Sequence, residues 1–89
     1  MAKTLEELRN EIDKVDDELR ALFEKRMDIS GEIAEYKKAN NLPVLDSARE
    51  EEKLRAILAA ARPDLKNYTA ALYITIFDVS RRYQEQHID

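Results

Sequence analysis

The sequence contains no cysteine or tryptophan, and only one glycine, two prolines and one histidine among its 89 residues. The absence of cysteine excludes disulfides and thiolate metal sites. The single histidine, His87, leaves little scope for zinc binding or for histidine acid–base chemistry. Sparse glycine and proline with 38% charged residues are typical of long helices and not of a sheet, which needs many turns. We therefore predict one all-α domain over residues 1–89.

Charge and hydropathy argue against several classes of partner. The net charge is −4, whereas a nucleic-acid-binding protein normally shows a basic face. The N-terminus has no apolar core of a signal peptide, and no apolar run approaches the length of a transmembrane helix. We expect a soluble, cytoplasmic protein without nucleic acid or membrane partners.

The first predicted helix has a clear start and a clear end. Thr4 and Glu7 form a capping box, and the run Asn40–Pro43 predicts an end near Ala39. Between them, apolar residues follow the three-and-four spacing of a helical seam. The seam consists of Leu5, Leu8, Ile12, Val15, Leu19, Leu22, Ile29, Ile33 and Tyr36. Gly31 interrupts this helix at a cost of about 1 kcal/mol relative to alanine, for no reason visible in the sequence.

Two shorter helices are predicted after it. The second begins around Asp46–Ser47, where either residue can cap and Ser47 and Glu50 have capping-box spacing. Pro63 ends this helix or starts the next turn. Its apolar positions are Leu54, Ile57, Leu58 and Ala61. The third helix runs from about Asp64 to the C-terminus. Its stripe comprises Leu72, Tyr73, Ile76 and Phe77, extended by Ser80, Tyr83 and Gln84.

The length of the first helix predicts a dimer. About 35 residues at 1.5 Å per residue give about 50 Å, whereas a compact chain of this size is about 30 Å across. The helix overshoots its own domain, yet its seam is apolar along nearly its whole length. A second copy of the helix is the simplest cover, so we predict an intertwined homodimer whose first helices cross between two lobes.

Two cations on the first helix suggest a binding site. Arg26 occupies a seam position, where a charge is costly unless an anion pairs with it. Lys37 lies on the same face about 16 Å along the axis, so the two side chains could grip a ligand between them. The ordinary alternative is that both side chains reach solvent while their aliphatic stems pack on the core.

The other two helices also place polar groups where apolar residues are expected. Glu50 extends the apolar face of helix two, and Arg49 puts a cation in a first turn that favours anions. Asp46 and Glu50 could simply cap that helix. Ser80 and Gln84 continue the stripe of helix three, although a fraying helix end would also be polar. Donors converging from three helices predict a site inside the bundle.

Arg9 requires a second chain to take part in that site. It precedes Arg26 by about 25 Å along the helix, so it cannot reach the site of its own chain. In a dimer with crossing helices it could reach the site of the partner. A surface ion pair with Asp13 at i+4 is at least as compatible with the sequence.

These residues resemble the small all-helical chorismate mutases over nearly the full chain. The segments that carry the resemblance are Leu8–Asp13, Asp16, Leu19, Glu24–Arg26, Lys37, Leu42–Val44, Asp46, Arg49–Glu50, Ser80–Arg81 and Gln84. Because the pattern spans three helices, with spacings from Arg9 to Glu50 that fit without gaps, it is more specific than a short motif. The main departure is a short connection around residues 62–65.

The resemblance implies an intertwined dimer of three-helix chains that rearranges chorismate to prephenate. It implies that Arg26, together with Arg9 of the partner subunit, binds the carboxylates of the substrate. Ser80 is implied to contact a carboxylate as well. Arginine suits this role because its fork of donors binds a carboxylate through two hydrogen bonds.

The resemblance also implies the remaining site roles. Lys37 and Gln84 donate to the ether oxygen of the substrate, Arg49 supports the site, and Asp46 and Glu50 lie near the ring hydroxyl. The reaction is a rearrangement within one molecule and requires no nucleophile, metal, redox cofactor or proton transfer. A chain without cysteine can therefore catalyse it by holding the reactive conformer and stabilising charge on the ether oxygen.

Three other interpretations remain open from the sequence. An isochorismate pyruvate lyase on the same fold would use the same basic residues, although Asp46 and Glu50 beside Arg49 resemble the mutase more. A helical dimerisation module without activity would leave Arg26 and Lys37 without a ligand. A domain of a larger aromatic-pathway enzyme ranks lower, since no linker is obvious at the end of the sequence.

Overall fold

The computed structural model describes residues 2–87, and these form three α-helices and one short 3-10 turn. Helix α1 spans Leu5–Ala39, α2 spans Ser47–Ala60 and α3 spans Lys66–His87. The all-α prediction with a long N-terminal helix is confirmed. The predicted continuation of the third helix through residues 88–89 lies outside the described residues. In the described part, no helix combines the length and apolarity that a membrane crossing requires.

The ends of α1 form as the sequence predicts. The hydroxyl of Thr4 accepts from the backbone N–H of Glu7 at 3.1 Å, and the Glu7 carboxylate accepts from the N–H of Thr4 at 3.4 Å. At the other end Asn41 adopts a left-handed conformation with φ 55°, which asparagine tolerates. The N–H of Leu42 then donates to the carbonyl of Lys37 at 2.8 Å, so the helix closes in a Schellman turn.

The start of α2 differs from the predicted capping box. Asp46 is the N-cap, and its carboxylate accepts from the N–H of Arg49 at 3.1 Å. Ser47 is therefore the first helical residue and not the cap. Glu50 does not fold back on the helix end, because its carboxylate bonds to Arg81 on α3. A tertiary ion pair has replaced the expected local contact.

The start of α3 also lies later than Asp64. Residues Pro63–Leu65 form a 3-10 turn in which the N–H of Leu65 donates to the carbonyl of Arg62 at 2.9 Å. Proline has no N–H and a fixed φ, so it suits the first position of such a turn. The α-helix begins only at Lys66.

The core of the chain lies around the C-terminal half of α1. Helix α3 packs against both α1 and α2, and its apolar core residue is Phe77, which together with Ala34 completes the buried apolar set within residues 2–87. Every described residue from 2 to 25 is exposed. The chain is accordingly elongated, with extents of 59 × 25 × 15 Å and a radius of gyration of 16.6 Å.

The exposed half of α1 carries most of the predicted seam. Its large apolar side chains are between 40% and 64% exposed. They are Leu5, Leu8, Ile12, Val15, Leu19, Leu22 and Phe23. Leu72 and Ile74 of α3 are also about half exposed, at 49% and 57%. Single exposed apolar residues are ordinary, whereas a continuous apolar stripe of this length is typical of an interaction surface.

The structure gives Gly31 a packing role that the sequence does not reveal. Gly31 is buried where the end of α3 approaches α1. A Cβ atom at this position would lie 3.2 Å from Cε1 of His87 and 3.4 Å from Cε2 of Tyr83. The glycine therefore lets the two helices approach closely, which offsets its cost inside a helix.

This role predicts a coupling between Gly31 and His87. The substitution Gly31→Ala gains helix propensity worth about 1 kcal/mol, but in the parent chain the new methyl group meets the imidazole. In a His87→Ala background that contact is absent. We expect Gly31→Ala to be more stabilising there than in the parent by at least about 0.5 kcal/mol. Urea unfolding at one fixed protein concentration measures both; equal effects would contradict the packing role.

Candidate active site

A cleft of about 320 Å³ opens where the three helices converge. Its lining consists of Arg26, Ile29, Ser30, Ile33, Lys37, Val44, Asp46, Arg49, Glu50, Lys53, Phe77, Ser80, Arg81 and Gln84. The lining includes seven of the eight residues that the sequence analysis assigned to the site, all except Arg9. The volume is at the lower end of the range for small-molecule sites.

The cleft is cationic although the chain is acidic. Five of its lining side chains are arginine or lysine and two are carboxylates, whereas the whole chain has a net charge of −4. Positive charge concentrated in a concave, partly desolvated surface attracts and retains anions. The cleft is therefore suited to a small, negatively charged ligand.

Arg26 is held in the cleft by neutral groups. Its Nη1 donates to the hydroxyl of Ser80 at 2.7 Å, and its guanidinium carbon lies 5.9 Å from the centre of the Phe77 ring. The side chain is half-buried, yet no carboxylate lies within ion-pair distance among residues 2–87. A cation in this position lacks the anion that normally offsets its desolvation.

Lys37 is placed by the turn that ends α1. The Schellman turn and Pro43 bring the chain back so that the carbonyl of Val44 accepts from Nζ of Lys37 at 2.7 Å. An ammonium group has three donors, and this is the hydrogen bond that Nζ makes within the described chain. Like Arg26, Lys37 is half-buried and has no carboxylate partner there. Donors remain available for a ligand.

Gln84 reaches the cleft from α3 and is buried. Its Nε2 donates to the hydroxyl of Ser30 at 2.9 Å, and both residues are less than 10% exposed. The amide oxygen Oε1 is buried without a hydrogen-bond partner among the described residues. Since a hydroxyl can donate or accept, Ser30 can satisfy either end of the amide. In both orientations the other end is left unpaired.

Glu50 and Arg81 form an ion pair across the cleft between α2 and α3. Nη1 of Arg81 donates to both carboxylate oxygens, at 2.5 and 2.6 Å. The hydrogen bond to Glu50 is the main reason that the pKa of Arg81 is raised, and Asp78 contributes through its charge. The side chains of the pair are 27% and 29% exposed, so water screens it only in part.

The remaining predicted residues lie at the edge of the cleft or outside it. Asp46 is exposed and caps α2, and Arg49 is exposed and pairs with Glu52 at 3.4 Å. Arg9 lies on the exposed half of α1, away from the cleft. It makes no ion pair with Asp13 within the described residues.

The cleft is also lined by residues to which the sequence assigns no site role, among them Ser30, Lys53, Phe77 and Arg81. A signal for Ser30 was present, because it follows Arg26 by one helical turn and so shares its face. Lys53 and Arg81 lie in charged runs whose sequence does not distinguish a solvated cation from one that faces a cleft. Their positions follow from how α2 and α3 pack.

The fold and the cleft define an all-α protein with a cationic, ligand-sized site between its helices. The chain belongs to the chorismate mutase type II family, whose sequence model matches residues 8–85. The matched range contains every predicted site residue from Arg9 to Gln84. Comparisons with curated proteins and with solved structures gave no match.

The buried Ser30–Gln84 contact predicts a specific pattern of stability. Ser30→Ala leaves both ends of the buried amide unpaired, so we expect a loss of about 1–3 kcal/mol. Adding Gln84→Met removes the amide while nearly conserving its shape. The double variant should therefore recover most of that loss, as measured by chemical unfolding. A harmless Ser30→Ala substitution, or a double variant no more stable than Ser30→Ala, would contradict the assignment.

Proposed function

We propose that this chain is a chorismate mutase, an isomerase that rearranges chorismate to prephenate for the biosynthesis of phenylalanine and tyrosine. Arg26 and Lys37 carry the proposal. Both are half-buried cations in one cleft, and neither has a carboxylate partner within residues 2–87. In a member of the chorismate mutase type II family, a dicarboxylate substrate supplies the missing negative charge.

The arginine and its neighbours suit carboxylate binding. A guanidinium group presents paired donors that match a carboxylate. Ser80 already accepts from Arg26 at 2.7 Å, so the guanidinium is oriented before a ligand arrives. Phe77 packs beside it and limits its movement. We propose that Arg26 and Ser80 bind one substrate carboxylate and hold the folded conformer in which the bond-forming carbons meet.

Lys37 and Gln84 are suited to stabilise the ether oxygen while the carbon–oxygen bond breaks. As this bond lengthens, negative charge grows on the ether oxygen, and fixed donors aimed at that oxygen lower the barrier. Lys37 has donors left after its bond to Val44. If the Gln84 amide turns so that Ser30 donates to Oε1, Nε2 becomes the second donor to the ether oxygen. The substrate would then satisfy the unpaired end of the amide.

The three residues around the start of α2 complete the proposed site. Glu50 and Asp46 are carboxylates that could accept from the ring hydroxyl of chorismate. Arg49 adds positive charge at the edge of the cleft, where it would attract the dianion and support its binding. No residue in this scheme exchanges a proton or forms a bond with the substrate.

We further propose that the enzyme is an intertwined homodimer. A single chain buries two apolar side chains, Ala34 and Phe77, within its described part, which is too small a core for independent stability. The exposed apolar stripe from Leu5 to Phe23 supports the proposal that a second copy of the chain covers it. In such a dimer the long helix carries Arg9 toward the site of the partner, where it binds the second carboxylate.

The direct test follows the ultraviolet absorbance of chorismate in the presence of the purified protein. We expect loss of chorismate with prephenate as product, and a decrease of kcat/KM of about a hundredfold or more in Arg26→Ala. Arg20→Ala is the matched control, because Arg20 lies on the same helix in an exposed pair with Glu24 at 2.9 Å. It should change kcat/KM by less than about twofold.

Two outcomes would contradict the proposal. Release of pyruvate from isochorismate, without rearrangement of chorismate, would indicate the lyase. A folded dimer that accelerates neither reaction would indicate an interaction module without activity. Circular dichroism and chemical unfolding of each variant separate loss of the site from loss of the fold.

A further inference from the structure

The Glu50–Arg81 ion pair poses an electrostatic problem for the proposed substrate. Glu50 is half-buried and lines the same cleft as Arg26 and Lys37. A free carboxylate beside a bound dianion would repel it. A carboxylate is nevertheless a strong acceptor for a ligand hydroxyl. The site therefore needs the Glu50 carboxylate as a hydrogen-bond acceptor but must prevent its negative charge from repelling the substrate.

We propose that Arg81 is the positioning residue that resolves this conflict. It neutralises Glu50 and fixes its carboxylate, so that Glu50 can accept a hydrogen bond from a hydroxyl group on an anionic substrate. The inference rests on the proposed function and adds a positioning role to it.

The geometry of the pair supports this role. Nη1 of Arg81 donates to both oxygens of Glu50, at 2.5 and 2.6 Å. Each carboxylate oxygen has two acceptor positions, so capacity remains for one further donor. On the other side, Nη2 of Arg81 lies 3.7 Å from Asp78 on its own helix. The guanidinium is thus held between two carboxylates and cannot swing toward the ligand without losing both.

Charge and burial support it as well. The raised pKa of Arg81 favours its cationic form beside Glu50. Both members of the pair line the cleft, and both are less than one-third exposed. By contrast, the side chains of the Arg49–Glu52 pair on α2 are more than 60% exposed, so water screens that pair more strongly.

The test measures kcat and KM for chorismate in the parent, Arg81→Met, Glu50→Gln and the double variant. We expect Arg81→Met to raise KM by about tenfold or more, since Glu50 then repels the substrate. In the Glu50→Gln background there is no charge to neutralise. There Arg81→Met should change KM by less than about twofold. Arg81→Lys, which keeps the charge, should lie near the parent.

Each other outcome overturns the inference in a distinguishable way. An equal rise in KM in both backgrounds would mean that Arg81 binds the substrate directly. Lower stability with unchanged KM would mean that the pair only joins α2 to α3. If the parent does not rearrange chorismate, both this inference and the proposed function fail. If Arg81→Met does not fold, unequal KM values in Glu50→Gln and the double variant overturn the inference.

Discussion

The apolar seam of α1 is the constraint on which the rest of the molecule depends. The helix is 35 residues long, and its own chain packs against only the C-terminal half. The other half exposes Leu5 through Phe23 along one stripe. Burial of such side chains is worth about 1.5–3 kcal/mol each, far more than any surface ion pair of this chain. We propose that association with a second copy supplies the larger core that a single chain does not build.

The same helix contributes residues both to the cleft and to the exposed apolar stripe. Its buried half supplies Arg26, Ser30 and Lys37 to the cleft, while its exposed half carries Arg9. Two of these donors are held by neutral partners: Ser80 orients Arg26, and Val44 orients Lys37. Preorganised donors of this kind stabilise developing charge without having to reorient during the reaction. The proposed rearrangement needs only positioning and charge stabilisation, and these donors suit both tasks.

Local sequence signals predicted the helices well, and tertiary contacts explain the differences. The capping box at Thr4 and the stop after Ala39 are short-range features, so the sequence specifies both ends of α1. The expected box at Ser47 failed because Glu50 pairs with Arg81, 31 residues away, which no local pattern reveals. The sequence does not reveal the packing role of Gly31 either, because that role depends on the approach of His87 and Tyr83 of α3 to α1. Family resemblance indicated roles for seven of the fourteen residues that line the cleft, whereas the role of Arg81 required the packing of α2 and α3.

The most direct test of the shared site mixes two inactive variants, Arg9→Ala and Arg26→Ala, after unfolding and refolding them together. If each site combines Arg26 of one chain with Arg9 of the other, a mixed dimer contains one intact site and one doubly altered site. Random pairing should then restore about a quarter of the parent mutase activity. Activity no higher than that of either variant alone, in a sample shown to contain mixed dimers, would contradict a site built from two chains.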